Sequence, residues 1–174
     1  MKGLLTENLD LAEKKILLRL DLNVPLKDKN ITEASRIEKI IPTLNYLIKK
    51  KSKIIILSHI GRPKGKIVPD LTLEPVCKKL SEILGLKIVL IKDPIDEKLI
   101  HKIDSIKNNT IIMLENIRFH EGEEKNDQEF AKKLSKLGEI YINDAFSCSH
   151  RSHASIDAIT KYVSSYFGIQ IMKK

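Results

Sequence analysis

The chain has 174 residues, 42% of them hydrophobic, enough for one domain with a full core. Its formal net charge is +8, and no apolar run approaches the length of a membrane span, which excludes a transmembrane helix. Met1 to Asp10 lack the apolar stretch of a signal peptide, and Cys77 and Cys148 have no metal-like spacing, so a cytoplasmic protein with two free thiols is expected.

Lys15 to Asp21 reads as a first strand with Arg19 inside it as a structural residue, and Asp21-Leu22-Asn23-Val24-Pro25 follows at its end. Leu26 to Thr32 contains the turn composition Lys27-Asp28-Lys29-Asn30 and reads as a small hairpin or loop. Ser35 is placed to cap a helix over Arg36 to Lys50, whose apolar positions Ile37, Ile40, Ile41, Leu44, Leu47 and Ile48 repeat at helical spacing. Arg36 then falls in the first turn, where backbone N–H groups favour anions. Ile54 to Leu57 is an uninterrupted apolar run, the mark of a central strand in a parallel sheet, and it breaks into Ser58-His59-Ile60-Gly61-Arg62-Pro63. The Gly61 to Asp70 loop reads as flexible and basic. Its Gly61 to Lys66 segment falls one residue short of a P-loop and has Ile67 where Ser or Thr would hold magnesium, so a P-loop is rejected.

Leu73 to Leu84 reads as a helix capped by Gly85, Lys87 to Ile91 as a third strand, and Asp96 to Ile106 as a helix. Asn108-Asn109 makes a turn before a fourth strand, Thr110 to Leu114. Asn126 or Asp127 caps a helix over Gln128 to Leu137 that Gly138 ends, and Glu139 to Asn143 is a fifth strand. Ile156 to Val163 reads as a short helix, and Ser164 to Ile171 as a last strand or the beginning of another helix. This alternation predicts an α/β fold: a three-layer, Rossmann-like domain with a parallel sheet of at least five strands flanked by helices. No repeat or interdomain linker is present.

The basic charge alone fits nucleic acid, anionic metabolites or a Lys-rich surface. Only five of the 31 basic residues are Arg: Arg19, Arg36, Arg62, Arg118 and Arg151. An Arg fork holds phosphate or carboxylate bidentately, and four of the five fall beside strand ends or loops. Strands end in Asp21/Asn23, in His59/Arg62 and in Arg118, a fourth leads to His150/Arg151, and Arg36 heads a helix. In an open α/β sheet these exits face one crevice. The set suits a small ligand with several negative charges and a hydroxyl group, Asp21 accepting from the hydroxyl. The plainer alternative for His59 and Arg62 is a solvated loop. His153 reads as a helix-start residue with local contacts, His101 as solvated, and His120 as a surface pair with Glu121. Glu121, Glu123 and Glu124 read as solvated rather than as a metal cluster. No Ser-His-Asp spacing is readable, and nothing in the sequence activates Cys148.

Four segments then resemble the phosphoglycerate kinases, in that family's order and over roughly residues 16 to 155. They are Arg19-Leu20-Asp21-Leu22-Asn23-Val24-Pro25, Leu57-Ser58-His59-Ile60-Gly61-Arg62-Pro63, Leu114-Glu115-Asn116-Ile117-Arg118-Phe119-His120 with Glu123-Glu124-Lys125-Asn126-Asp127, and Asn143-Asp144-Ala145-Phe146 with His150-Arg151-Ser152-His153-Ala154-Ser155. The resemblance implies an N-terminal lobe, residues 1–174, that binds 3-phosphoglycerate or 1,3-bisphosphoglycerate through Asp21, Asn23, Arg36, His59, Arg62, Arg118 and Arg151. It implies Arg36 as the catalytic residue, stabilising the phosphoryl group in flight to MgADP in glycolysis. Mg2+ and ATP or ADP are implied for a C-terminal lobe that is absent here, with no cofactor bound by this chain alone. A cytoplasmic monomer without nucleic-acid or membrane partners, inactive by itself, is the expectation. Where the family has small residues such as Gly-Thr-Ala, this chain has Ser147-Cys148-Ser149, which is expected to leave the substrate residues untouched.

A nucleic-acid module is the competing class, motivated by pI alone. It predicts basic residues on one face with stacking aromatics, whereas aromatics are only 5%. An anion-binding module without catalysis is the third.

Overall fold

The computed structural model describes residues 9–172. The stretch read for a signal peptide therefore lies outside the described residues as far as residue 8.

Strand β1 (Lys15–Arg19) leads into a two-stranded antiparallel hairpin, β2 (Leu26–Lys27) and β3 (Asn30–Ile31). Asp28 and Lys29 at its tip both have positive φ, as a two-residue type I′ turn demands. Helix α1 (Ser35–Lys49) follows, then β4 (Lys53–Leu57), α2 (Glu74–Leu84), β5 (Ile88–Ile91), α3 (Glu97–Ser105) and β6 (Ile111–Leu114). The chain continues through a short α4 (Glu121–Glu124), α5 (Gln128–Ser135), β7 (Ile140–Asn143), β8 (Ser164–Phe167) and α6 (Ile169–Met172). The last two show that the final segment is both a strand and a helix start. The expected short helix after Ile156 is a 3-10 turn, Ala158–Lys161.

Among the described residues the main sheet has six strands, all parallel, in the order β5-β6-β4-β1-β7-β8. Side chains alternate across it. Ile16, Leu18, Ile54, Ile56, Ile111 and Met113 pack against α1 and α2, through Ile37, Ile40, Leu44, Leu47, Val76 and Leu80. Leu17, Ile55, Leu57, Ile112, Leu114 and Tyr141 pack the other way, against Leu99 and Ile103 of α3, Ala131 and Leu134 of α5, and Ala158 and Ile159. The helix faces follow from the strand order. The chain steps from β1 to β4 to β5 in one direction and from β5 to β6 to β7 to β8 in the other. A constant crossover hand then puts α1 and α2 on one face and α3 and α5 on the opposite one. The result is the three-layer α/β domain expected.

Local signals differ in how they act. Asp96 and Asp127 cap α3 and α5, accepting from the Leu99 and Phe130 N–H groups. Ser35 does not cap α1. The Glu33 carboxylate does so from outside, accepting from the Ser35 N–H and hydroxyl at 2.7 Å each. Pro42 sits inside α1 on its exposed side, so the carbonyl it leaves unpaired faces water. Lys53, almost fully buried at the start of β4, donates to the Ile103 and Ile106 carbonyls and places its charge on the C-terminal end of α3.

Two glycines mark helix ends for different reasons. Gly85 is left-handed, φ 65°, with open space where a Cβ would lie. Gly138 has no positive φ; instead, a Cβ there would stand 2.6 Å from Leu17 Cγ. We expect Gly138→Ala to cost about 1–3 kcal/mol by overpacking, and Gly85→Ala about 1 kcal/mol by backbone strain alone. Asn, which tolerates the left-handed region, should recover most of the loss at position 85 and none at 138. Urea midpoints of the four variants check this.

Candidate functional site: an anion cleft at the strand ends

The connections leaving β4 and β1 cross the face of α1 and α2, and the one leaving β7 crosses the other face through Ala158 and Ile159, so the crevice outside these strands' carboxyl ends is where such sheets bind ligands. Past the last ladder pairs, the exit segments have backbone groups that need partners. Short polar side chains supply them. The Ser58 hydroxyl donates to the Leu20 carbonyl at 2.8 Å and accepts from the Leu22 N–H at 3.2 Å, joining the exits of β1 and β4. Asn23 Oδ1 accepts from the Gly61 N–H at 3.0 Å. Asn116, fully buried, donates to the Ile60 and Leu71 carbonyls and accepts from the Arg118 N–H. Arg118 closes the set: its Nη1 donates to the Gly61 carbonyl at 3.1 Å, and its own carbonyl accepts from Gly65. The Gly61 loop is thus tied down at both of its glycines.

This scaffold brings Asp21, Asn23, Arg36, His59, Arg62, Arg118 and Arg151 to the lining of one cleft of about 220 Å³, with Ser147 and Cys148. Arg36 reaches from α1 to Asp21 Oδ1 at 3.1 Å and to the Asn23 carbonyl at 2.9 Å. Arg62 and Arg151 are exposed and make no ion pair with a described residue. Arg118 is 5% exposed, yet its Nε is buried without a hydrogen-bond partner. A cleft that holds four guanidinium groups against one carboxylate is a place for an anion. A larger hollow of about 550 Å³ beside Ile91, Pro94, Ile95 and Phe119 is lined by mixed charges, Lys29 and Lys92 against Glu74, Asp93 and Glu115, and so does not favour an anion.

His59 and the buried groups beneath it define the electrostatics. Burial first, then the Arg19, Arg118 and Arg151 charges with His153, lower its pKa to about 2, so it is neutral at pH 7. Arg19 is fully buried and bonds His59 Nδ1, the Ser155 hydroxyl and the Leu20 carbonyl. Its structural reading holds, though it ends against the cleft. Glu123 overturns the solvated reading: it is fully buried and accepts from the Ser155 N–H and hydroxyl. Desolvation raises its pKa, opposed by the Arg19 charge and the Ser155 hydrogen bonds.

Three other expectations change. His120 does not pair with Glu121; it is partly buried against the Phe130 ring, centroids 5.1 Å apart, while Glu121 bonds Lys125. His153 is buried, and its Nδ1 has no hydrogen-bond partner; only its carbonyl makes the local contacts expected, with the Ile156 and Asp157 N–H groups. Ser147 does touch a site residue: Cys148 turns inward onto Ala145 and Ile156, and the Ser147 hydroxyl donates to Asp21 Oδ2 at 2.5 Å. Asp21 is therefore held on one oxygen by Arg36 and on the other by Ser147. His101 is exposed, as read. Glu123, Ser155, Asn116 and Ser58 are the contributors that sequence reasoning passed over. Their only signal was membership in the motif segments.

Comparison with known proteins adds an independent line. A family model described as phosphoglycerate kinase matches residues 6–174. Phosphoglycerate kinase of a Wolbachia strain from Drosophila simulans is 48% identical over 162 residues, covering 93% of this chain and 40% of that protein. The Dictyoglomus turgidum enzyme is 47% identical over 165 residues, 95% of this chain and 41% of that protein. Among solved structures, phosphoglycerate kinase from Coxiella burnetii superimposes with a TM-score of 0.86 at 35% identity, covering 95% of this chain and 41% of that one. The Pyrococcus horikoshii structure gives 0.84 at 31% identity, over 98% and 43%. The chain thus spans about 40% of the length of the curated relatives it matches. It belongs to the phosphoglycerate kinase family and corresponds to the N-terminal part of its members.

Proposed function

We propose that residues 1–174 form the substrate-binding domain of a phosphoglycerate kinase and that the cleft takes 3-phosphoglycerate or 1,3-bisphosphoglycerate. The observation that carries this is the gathering of Arg36, Arg62, Arg118 and Arg151 around a single carboxylate. Arg62, Arg118 and Arg151 bind phosphate and carboxylate oxygens through their forks. Asp21 accepts from the substrate hydroxyl, with Asn23 beside it. His59, neutral, donates a hydrogen bond. Arg36 is the catalytic residue. It heads α1, within reach of Asp21, and stabilises the charge on the transferring phosphoryl group, since such transfer depends on positioning and electrostatics.

A magnesium nucleotide supplies the phosphoryl acceptor or donor in this reading. The loop Gly61 to Lys66 has neither P-loop spacing nor a magnesium-binding hydroxyl, and the family resemblance assigns ADP, ATP and Mg2+ to parts of the family's proteins beyond these residues. A cytoplasmic monomer completes the reading; no described helix is long and apolar enough to cross a membrane.

Calorimetric titration with 3-phosphoglycerate tests the substrate reading. Binding by the 174-residue chain should be weak and should fall as salt rises, because the cleft is open and screened. Arg62→Lys keeps the charge and loses the fork, so its affinity should drop roughly tenfold, about 1.4 kcal/mol. Equal affinity would remove the bidentate contact from the proposal.

Catalysis needs both substrates held in line with water excluded, and losing that positioning removes orders of magnitude in rate. With MgATP and 3-phosphoglycerate in a coupled assay, the 174-residue chain should show no turnover. Turnover abolished by Arg36→Ala would place a nucleotide site within these residues and overturn the assignment.

A further inference from the structure

Arg19 ends β1 with each donor nitrogen partnered: Nε to Ser155 Oγ at 2.9 Å, Nη1 to the Leu20 carbonyl at 2.8 Å, Nη2 to His59 Nδ1 at 2.8 Å. A guanidinium has donors and no acceptor. His59 Nδ1 is therefore the acceptor of its bond, and the imidazole proton resides on Nε2. A proton on Nδ1 would oppose an N–H at 2.8 Å. The same logic runs back through Ser155. Its hydroxyl gives its one proton to Glu123 Oε2 at 2.5 Å and so accepts from Arg19 Nε. Glu123 Oε1 is fixed in turn by the Ser155 N–H at 2.7 Å. Glu123, Ser155 and Arg19 have no solvent exposure, and His59 is 4% exposed. The carboxylate orients the hydroxyl, the hydroxyl the guanidinium, and the guanidinium the imidazole.

We infer that Glu123 is a positioning residue for the cleft: acting through Ser155 and Arg19, it holds His59 as the uncharged Nε2–H tautomer, a fixed hydrogen-bond donor to the oxygens of a bound anion. Nε2 has no partner among the described residues, and His59 lines the cleft. The groups around the ring are Arg19 from β1, Arg118 beyond β6, and Arg151 and His153 beyond β7; all oppose a proton on it. A neutral donor takes up no proton when the anion enters, so the cleft keeps the same hydrogen-bonding face across the neutral range. A carboxylate three hydrogen bonds away is well placed for this task. It balances the Arg19 charge that would otherwise be buried alone, and it leaves the cleft itself positive. The identity of the anion rests on the phosphoglycerate reading; the tautomer does not.

Long-range 1H–15N correlation spectra of the ligand-free chain read the tautomer directly. Wild type should show a single Nε2–H pattern for His59, unchanged between pH 8 and 5. Glu123→Gln and Ser155→Ala should each mix in the Nδ1–H form and weaken 3-phosphoglycerate binding roughly tenfold, the scale of losses when an outer partner of a binding His is removed. Ser155→Ala keeps the buried carboxylate on a backbone N–H, and is the variant to read if Glu123→Gln does not fold. A wild-type Nδ1–H pattern, a titration of His59 within that pH range, or variants that retain the wild-type signature would overturn the inference. A wild-type Nε2–H pattern lost in the variants, in a chain that binds no 3-phosphoglycerate, supports it while refuting the substrate reading.

Discussion

Arg19 carries a full positive charge at a position with no solvent exposure, and a charge so placed must be compensated within the protein. The compensation comes from Glu123, 104 positions later, across the Ser155 hydroxyl. Leaving either partner alone would strand a buried charge, a change that typically costs about 3–5 kcal/mol. The pair does more than cancel. Arg19 ends β1, His59 follows β4, Glu123 lies in α4 beyond β6, and Ser155 lies beyond β7. One charge pair therefore fixes four exits of a parallel sheet relative to one another. The exits of such a sheet diverge into separate crossovers, and nothing in the ladder itself holds them together. Tyr141 adds a tie from within β7, its hydroxyl donating to the Ser155 carbonyl at 2.5 Å.

Around that pair the cleft is built from backbone accounting. Ser58, Asn23 and Asn116 each satisfy main-chain groups on a segment far from their own, so the loops are ordered by the same bonds that leave their long side chains free to point at a ligand. Asp21 and Arg36 belong to both systems. They bond each other across the first loop, and Ser147 reaches in from the β7 side to hold the second Asp21 oxygen. Ser147, in the turn after Phe146, thus adds a contact to the carboxylate that lines the cleft among the described residues.

The strands were legible because a buried parallel strand must be apolar on both faces, and Ile54 to Leu57 or Ile111 to Leu114 have no other reading of comparable length. Asp127 and Gly85 were legible as caps because their action is local: one side-chain oxygen three residues from its N–H, or one backbone angle. The failures share the opposite property. Glu123 and Glu121 are indistinguishable in sequence, yet one is buried against a distant Arg and the other bonds Lys125 at the surface. Gly138 looked like a left-handed cap and is small because Leu17 approaches it. Ser35 looked like a cap, and Glu33 took the role by reaching over it. Each of these depends on which segment is folded alongside, and a pattern in one segment does not encode that. The gathering of Asp21, Arg36, His59, Arg62, Arg118 and Arg151 was legible for a topological reason: in a parallel sheet every strand exit points the same way.

The cleft also sets folding against binding. Four guanidinium groups converge on one carboxylate, and Arg118 is buried with a donor unsatisfied, its pKa lowered first by desolvation. Like-charge repulsion among these groups weakens the fold. On the substrate reading, a bound anion offsets that repulsion by bringing negative charge to the guanidinium groups, and stabilises the fold in proportion to its affinity. This explains the division of labour among the carboxylates. Asp21 stands in the cleft, where it can bond a hydroxyl, and it is already held by Arg36 and Ser147. Glu123 is kept behind Ser155 and Arg19, where it supports the buried charge without neutralising the four guanidinium groups that face the anion. Placing Glu123 a few ångströms closer would neutralise part of the positive charge that the cleft presents to an anion.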